Sequence, residues 1–224
     1  GAARGYLREV LGDLPVIFIN GAFGDIAQSS QTAPKVPGES REQRMERQAH
    51  LMAGETLRLL HEAGFHEDVE FGHTYEDLRL DVQLPSEEKV EQSRDLLERL
   101  DAGEEFASRE IMLAWGRVLL HEQFADDPVD TLPIHALRIG DLAITSNPTE
   151  LFCQYGLDIK RRSPAPVTAI ASVADGYCSY CPTMSGTLGG GYSGEAIWWT
   201  RLAPGAGERI VDSTCRMLWE LWGG

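Results

Sequence analysis

The sequence predicts an α/β or α+β fold: a layered, mixed β-sheet core flanked by helices, with an acidic helical insertion. Three observations lead there. Short apolar runs at residues 16–19, 142–146 and 167–173 suit buried strands. Stretches at 40–63, 151–159 and 207–222 carry apolar residues at helical spacing instead. Residues 70–84 alternate, with Leu78, Leu80, Val82 and Leu84 set against Glu76, Arg79, Asp81 and Gln83. That alternation belongs to a strand with one wet face. Strands of both kinds, interleaved with helices, make a layered fold with a mixed sheet.

Each element has its own justification. Residues 6–11 end a helix at Gly12. The run at 16–19 enters Asn20-Gly21-Ala22-Phe23-Gly24-Asp25. Two glycines and an aspartate after a strand either expose backbone groups to a ligand or simply turn the chain. Residues 31–38 hold two prolines and read as irregular. Ser40 caps the next helix, with Gln43 at the capping-box position. Met45, Ala49, Met52, Ala53, Thr56, Leu59 and Leu60 form its face, and it ends at Gly64. His50, His61 and His66 follow no metal-ligand spacing.

Pro85-Ser86 stops the alternating strand, and Ser86 with Lys89 begins a charged helix. A second helix spans 108–124, so residues 85–128 read as a solvated acidic insertion. Residues 132–139 and 142–146 form a hairpin around Gly140-Asp141, read as a two-residue type I′ turn. The helix at 151–159 has Glu150 at its start. The closing helix at 207–222 turns Ile210, Val211, Thr214, Met217, Leu218 and Leu221 to the core. Residues 1–224 read as a single domain. The chain opens mid-pattern at Gly1-Ala2-Ala3-Arg4, which predicts further sequence upstream.

Composition excludes some functions. The 224 residues are 42% hydrophobic, enough for one sizeable core. With 35 acidic against 20 basic residues the net charge is −15, which repels nucleic acid and anionic membranes. No apolar run approaches the roughly 20 residues of a transmembrane helix. Of the four cysteines, Cys178 and Cys181 have C-x-x-C spacing, but a single such pair reads as packing rather than zinc.

The specific chemistry collects between residues 146 and 195. Three polar blocks follow strand-like runs there: Asn147-Pro148-Thr149-Glu150, then Gly176-Tyr177-Cys178-Ser179-Tyr180-Cys181-Pro182, then Gly191-Tyr192-Ser193-Gly194-Glu195. Polar clusters at strand ends sit at a sheet edge, where sites are built. Taken alone, Glu150 is a ligand, a base or a helix cap, and Tyr180 is a core residue or a site phenol. The run at 186–191 is rich in glycine but lacks the lysine of a phosphate loop.

These blocks in this order, together with Asn20-Gly21-Ala22-Phe23-Gly24-Asp25, resemble the neutral/alkaline non-lysosomal ceramidase family. The resemblance covers the later part of that family's N-terminal catalytic domain. It implies a zinc-dependent hydrolase of N-acyl amide bonds, acting on a small-molecule or lipid amide in a secreted or extracytoplasmic setting. It implies Glu150 and Tyr180 as metal ligands, with two histidines expected upstream of Gly1. It implies Tyr192 as a substrate-binding phenol, with Gly24 and Asp25 on the wall of the cleft. Ala27 stands where the family carries a serine proposed as catalytic, and the segment at 184–191 differs from the family's acidic, glutamine-rich one. A scaffold that keeps the cleft and binds a ligand without cleaving it is the alternative.

Overall fold

Alternation in β1 (Phe71–Asp81) sends Leu78 and Leu80 to one face, and β2 (Val129–Ile139) answers with Leu132, Ile134 and Ala136. The two strands pair antiparallel along their whole length, from Phe71 opposite Ile139 to Asp81 opposite Val129. A two-residue turn leads into β3 (Leu142–Asn147), also antiparallel. The chain then makes β4 (Glu150–Leu151), helix α5 (Cys153–Arg162) and β5 (Val167–Ser172). β5 lies parallel to β3, so the sheet order β1-β2-β3-β5 is mixed. A second, two-stranded parallel sheet joins β4 to β6 (Tyr180–Cys181). The structure is a computed structural model that describes residues 1–27 and 36–223.

Six further α-helices complete the seven among the described residues. Of these, α3 (Glu87–Asp101) and α4 (Ser108–Phe124) lie between β1 and β2 in sequence, across the stretch expected to be helical. Ser86 accepts from Lys89 N–H at the start of α3. α6 (Met184–Leu188) is short, and α7 (Ala206–Leu221) closes the chain. Ile210, Val211, Met217 and Leu218 of α7 meet the leucines of β1 and β2, with Tyr155 and Ile159 of α5 beside them. Burying one such leucine or isoleucine stabilises the fold by about 1.5–3 kcal/mol. Val82, Leu120 and Phe124 form a smaller cluster with Trp198.

Contacts divide the chain into two units, residues 1–18 with 27–69 and residues 19–26 with 70–224. The first holds α1 (Ala2–Leu11), stopped by Gly12 at φ 73°, and α2 (Arg41–Glu62). Ser40 and Gln43 make the capping box the sequence indicates. Ala49 and Ala53 are buried, and the Tyr6 ring lies tilted at 34° against His50, centroids 3.8 Å apart. Met45, Met52 and Leu59 of the expected apolar face remain exposed.

Three local expectations need correction. Residues 16–19 are not a strand, and Ile17 is 83% exposed. An apolar run becomes a strand only beside a ladder of partners; among the described residues the ladder next to this run is one bond, from Ser172 N–H to the Asn20 carbonyl. The Gly140-Asp141 turn is not type I′. That type needs positive φ at both central residues, and only Gly140 has it, at 56°. The helix expected from residue 151 begins at Cys153, because Glu150 and Leu151 are taken up as a strand.

Candidate functional site

The β4–β6 pair is the seed of the site. Glu150 N–H donates to the Ser179 carbonyl at 2.8 Å, and Phe152 N–H to that of Cys181 at 3.2 Å. This register sets Glu150 directly opposite Tyr180. Facing residues on neighbouring strands project to the same side. The Tyr180 phenol accordingly lies beside the Glu150 carboxylate, close enough for that charge to raise its pKa. Tyr177 reaches the same carboxylate and donates to Oε1 at 2.9 Å. The Tyr192 ring meets Tyr180 edge-on, with centroids 5.0 Å apart. Its hydroxyl donates to the carbonyl of Gly24 at 2.9 Å, and Gly24 N–H donates to the carbonyl of Leu151 at 2.9 Å. Glu150, Tyr180, Tyr192 and Gly24 are therefore gathered at one edge of the small sheet.

The neighbours of Glu150 are held by a bent loop. Val173, Asp175 and Ser179 have positive φ of 54°, 56° and 62°. Each such residue costs about 1–3 kcal/mol and persists only where the surroundings impose it. Backbone bonds impose it here: Val173 N–H to the Thr149 carbonyl, Ala174 to Asn147, and Cys178 to Pro148. Beneath the loop lies Arg201, only 5% exposed. It donates to Asp130 Oδ2 at 2.7 Å and to the Tyr177 carbonyl at 3.4 Å. Cys178 Sγ donates to the same Asp130 oxygen.

Asp25 is occupied elsewhere on the wall. Its Oδ1 accepts from Cys153 N–H at 2.7 Å, at the N-terminus of α5, where a negative charge suits the helix dipole. Asp25 therefore caps the helix that Glu150 was placed to cap in the sequence. Ala27 is exposed and groups with the helical unit rather than with these residues.

Against known proteins, no family model and no curated protein matches. Among solved structures, the neutral ceramidase from Pseudomonas aeruginosa is similar in fold, with a TM-score of 0.53 at 13% identity over 87% of this chain. The chain is built on a neutral-ceramidase-like fold. It spans about a third of that protein's length, 35%. A ceramidase complexed with C2 matches at 23% identity over 42% of this chain and 15% of that one. Its TM-score of 0.38 is too low to carry an argument.

Within this ceramidase-like fold the phenols are proton donors. Burial, and then the adjacent Glu150 carboxylate, pushes Tyr177 and Tyr180 up to about 12. Tyr192 is raised as well, by burial and then by the charges of Asp25 and Glu150. All three keep their protons at neutral pH and can hydrogen-bond a developing negative charge. No group of three or more His, Cys, Asp or Glu among the described residues is arranged to hold a metal ion. Glu150 and Tyr180 offer adjoining oxygen donors, which suits the oxygen part of a zinc site and no more of it. Cys178 and Cys181 are free and buried, and burial pushes both thiols up, Cys181 to about 12. A protonated, buried thiol is inert packing.

Sequence reasoning passed over Tyr177, although it lies within a quoted motif three residues before Tyr180. It also passed over Arg201 and Asp130, which carry no local signal, being 71 residues apart. Gly24 has the clearest packing reason to be glycine. A β-carbon there would run into the carbonyl of Glu150 and press on the Phe152 ring. Gly24→Ala should destabilise the larger unit by about 1–3 kcal/mol, as overpacking does. The urea midpoint measures this, and an unchanged midpoint would mean the loop moves aside freely.

Proposed function

We propose that this chain is the later part of the catalytic domain of a zinc-dependent amidohydrolase that cleaves N-acyl amide bonds. The observation that carries the reading is the β4–β6 register, which sets the Glu150 carboxylate beside the Tyr180 phenol with Tyr192 against it. The ceramidase-like fold supports it. Glu150 and Tyr180 would hold the metal from one side, with imidazole ligands from elsewhere in the protein. When bound, zinc lowers the pKa of its water to about 7 and polarises the scissile carbonyl.

The chain's own groups do the rest. Glu150, fixed by the Tyr177 hydroxyl, presents an anionic oxygen that offsets positive charge. Tyr192 keeps its proton and can turn from the Gly24 carbonyl to the oxygen of the acyl carbon as charge builds there. The Tyr180 and Tyr192 rings pack edge-on beside the carboxylate and line that edge.

The test is metal content and hydrolysis in the full-length protein, with short- and long-chain N-acyl amides as substrates, ceramide among them. Intact protein should hold zinc by elemental analysis and cleave at least one of these amides. Glu150→Ala should lower both zinc content and turnover. Zinc binding without cleavage of any amide would favour a ligand-binding scaffold, to which Ala27 in place of a serine already lends weight. Turnover unchanged in Glu150→Ala would remove the carboxylate from the site.

A further inference from the structure

On the other side of the same loop lies a chain of polar groups that the amide chemistry does not use. His73 stands on β1 and His135 on β2, diagonal neighbours two positions apart along the ladder, since His135 lies opposite Tyr75. Their rings stack with centroids 5.3 Å apart, and His73 Nε2 lies 3.0 Å from His135 Nδ1. His135 Nε2 lies 3.0 Å from Asp175 Oδ2. The Tyr75 ring tilts against His135 at 4.9 Å, and its hydroxyl bonds Asp77.

Hydrogen-bond accounting gives this row a direction. A carboxylate only accepts, so neutral His135 carries its proton on Nε2 and points it at Asp175. Its Nδ1 is then an acceptor, and His73 must donate from Nε2. β2 thereby holds one side chain of the loop through His135, which β1 backs through His73, and that side chain belongs to a residue at φ 56°. Gly176 follows at φ 131°, and then Tyr177, whose hydroxyl reaches Glu150 at 2.9 Å. Backbone bonds tie the loop to residues 147–149. The Asp175–His135 bond ties it to β2, so the left-handed turn at 175 has a fixed exit toward Glu150.

We infer that Asp175, gripped by the His73–His135 pair, is a positioning residue that sets the loop carrying Tyr177 onto Glu150. It touches neither substrate nor reacting atoms. Its consequence for turnover rests on the amidase reading, whereas the tether itself does not. Groups that hydrogen-bond a metal ligand directly, as Tyr177 bonds Glu150, typically affect activity by about 10–100-fold, and displacing Tyr177 forfeits that contribution.

The test uses the full-length protein with 15N-labelled histidine, at about pH 8, above the ordinary histidine range. Spectra should show His135 and His73 each with the proton on Nε2. In Asp175→Ala, His135 should become a mixture of tautomers. The amides of Ala174 and Cys178 should exchange about tenfold faster, while those of the β1–β2 ladder keep their rates. Activity on an N-acyl amide should fall about 10–100-fold in kcat, with KM little changed. Asp175→Asn keeps a carbonyl oxygen for the His135 proton and should recover most of the tautomer purity and of kcat. An unchanged tautomer and unchanged loop exchange in Asp175→Ala would overturn the inference. So would exchange that accelerates uniformly across the strands, or an active enzyme whose kcat ignores the substitution. A full-length protein that cleaves no amide would sink the amidase reading alone, and the tautomer and exchange measurements would still decide the tether.

Discussion

Arg201→Met should destabilise the protein by about 3 kcal/mol, read as a lower urea midpoint with an unchanged slope. Removing one partner of a buried ion pair leaves the other charge uncompensated, which costs about 3–5 kcal/mol. The low end applies because the Asp130 side chain keeps 20% exposure. Methionine retains the apolar stem of arginine, so the change falls mainly on the charge. Asp130 would keep only two neutral donors, the Thr131 N–H at 2.9 Å and the weak Cys178 thiol, and no opposite charge. The guanidinium also lies over the Trp198 ring at 4.7 Å and the Phe124 ring at 5.7 Å, so two aromatic contacts go with it. The exposed Arg58, paired with Glu55 and Glu62, is the control. Breaking both pairs with Arg58→Met should leave the midpoint where it was, since solvent screens such pairs. Equal effects from the two substitutions would mean the Arg201 pair is solvated as well.

Elements were legible in the sequence where one local rule sufficed. Ser40 with Gln43, and Ser86 with Lys89, mark helix starts because a cap needs only its own first turn. The alternation of residues 70–84 and the apolar run at 167–173 found β1 and β5, since side-chain period reports which faces are buried. Elements that depend on a distant partner were not legible. The run at 16–19 is as apolar as a buried strand but has no ladder to join among the described residues. Glu150 looked like the first turn of a helix, yet it is a strand residue because Tyr180, thirty positions on, supplies the other half of the pair. The helix cap it seemed destined for comes from Asp25, 128 residues from the amide it binds.

The same division runs through the site. Glu150, Tyr180, Tyr192 and Gly24 could be picked out as motif residues, because their order along the chain resembled a known family. What holds them in register could not. The grip of Arg201 on the loop, and that of His135 on Asp175, depends on which strands the fold makes neighbours. His135 is one polar residue among alternating apolar ones on β2. Only the antiparallel register with β1 brings His73 next to it.

Tyr192→Phe should lower kcat for an N-acyl amide by about 10²–10³ in the full-length protein, with KM little altered. The substitution keeps the ring, so the edge-on contact with Tyr180 survives. Only the hydroxyl goes. In the resting state that hydroxyl donates to the Gly24 carbonyl, a bond water can replace because Tyr192 is 52% exposed. The ground state therefore loses little. A loss in kcat alone is the mark of a donor needed when negative charge develops on the acyl oxygen and not before. Burial and the nearby Asp25 and Glu150 charges raise the Tyr192 phenol, so proton loss should not limit activity on the alkaline side until well above neutral pH. A brace gives a different pattern. If Tyr192 serves only to hold Gly24, the phenylalanine variant should lose stability together with Gly24→Ala, and kcat and KM should drift by similar small factors. That outcome would leave Glu150 and Tyr180 without an oxyanion donor, and would move the search for one to Tyr177, which already reaches the same carboxylate.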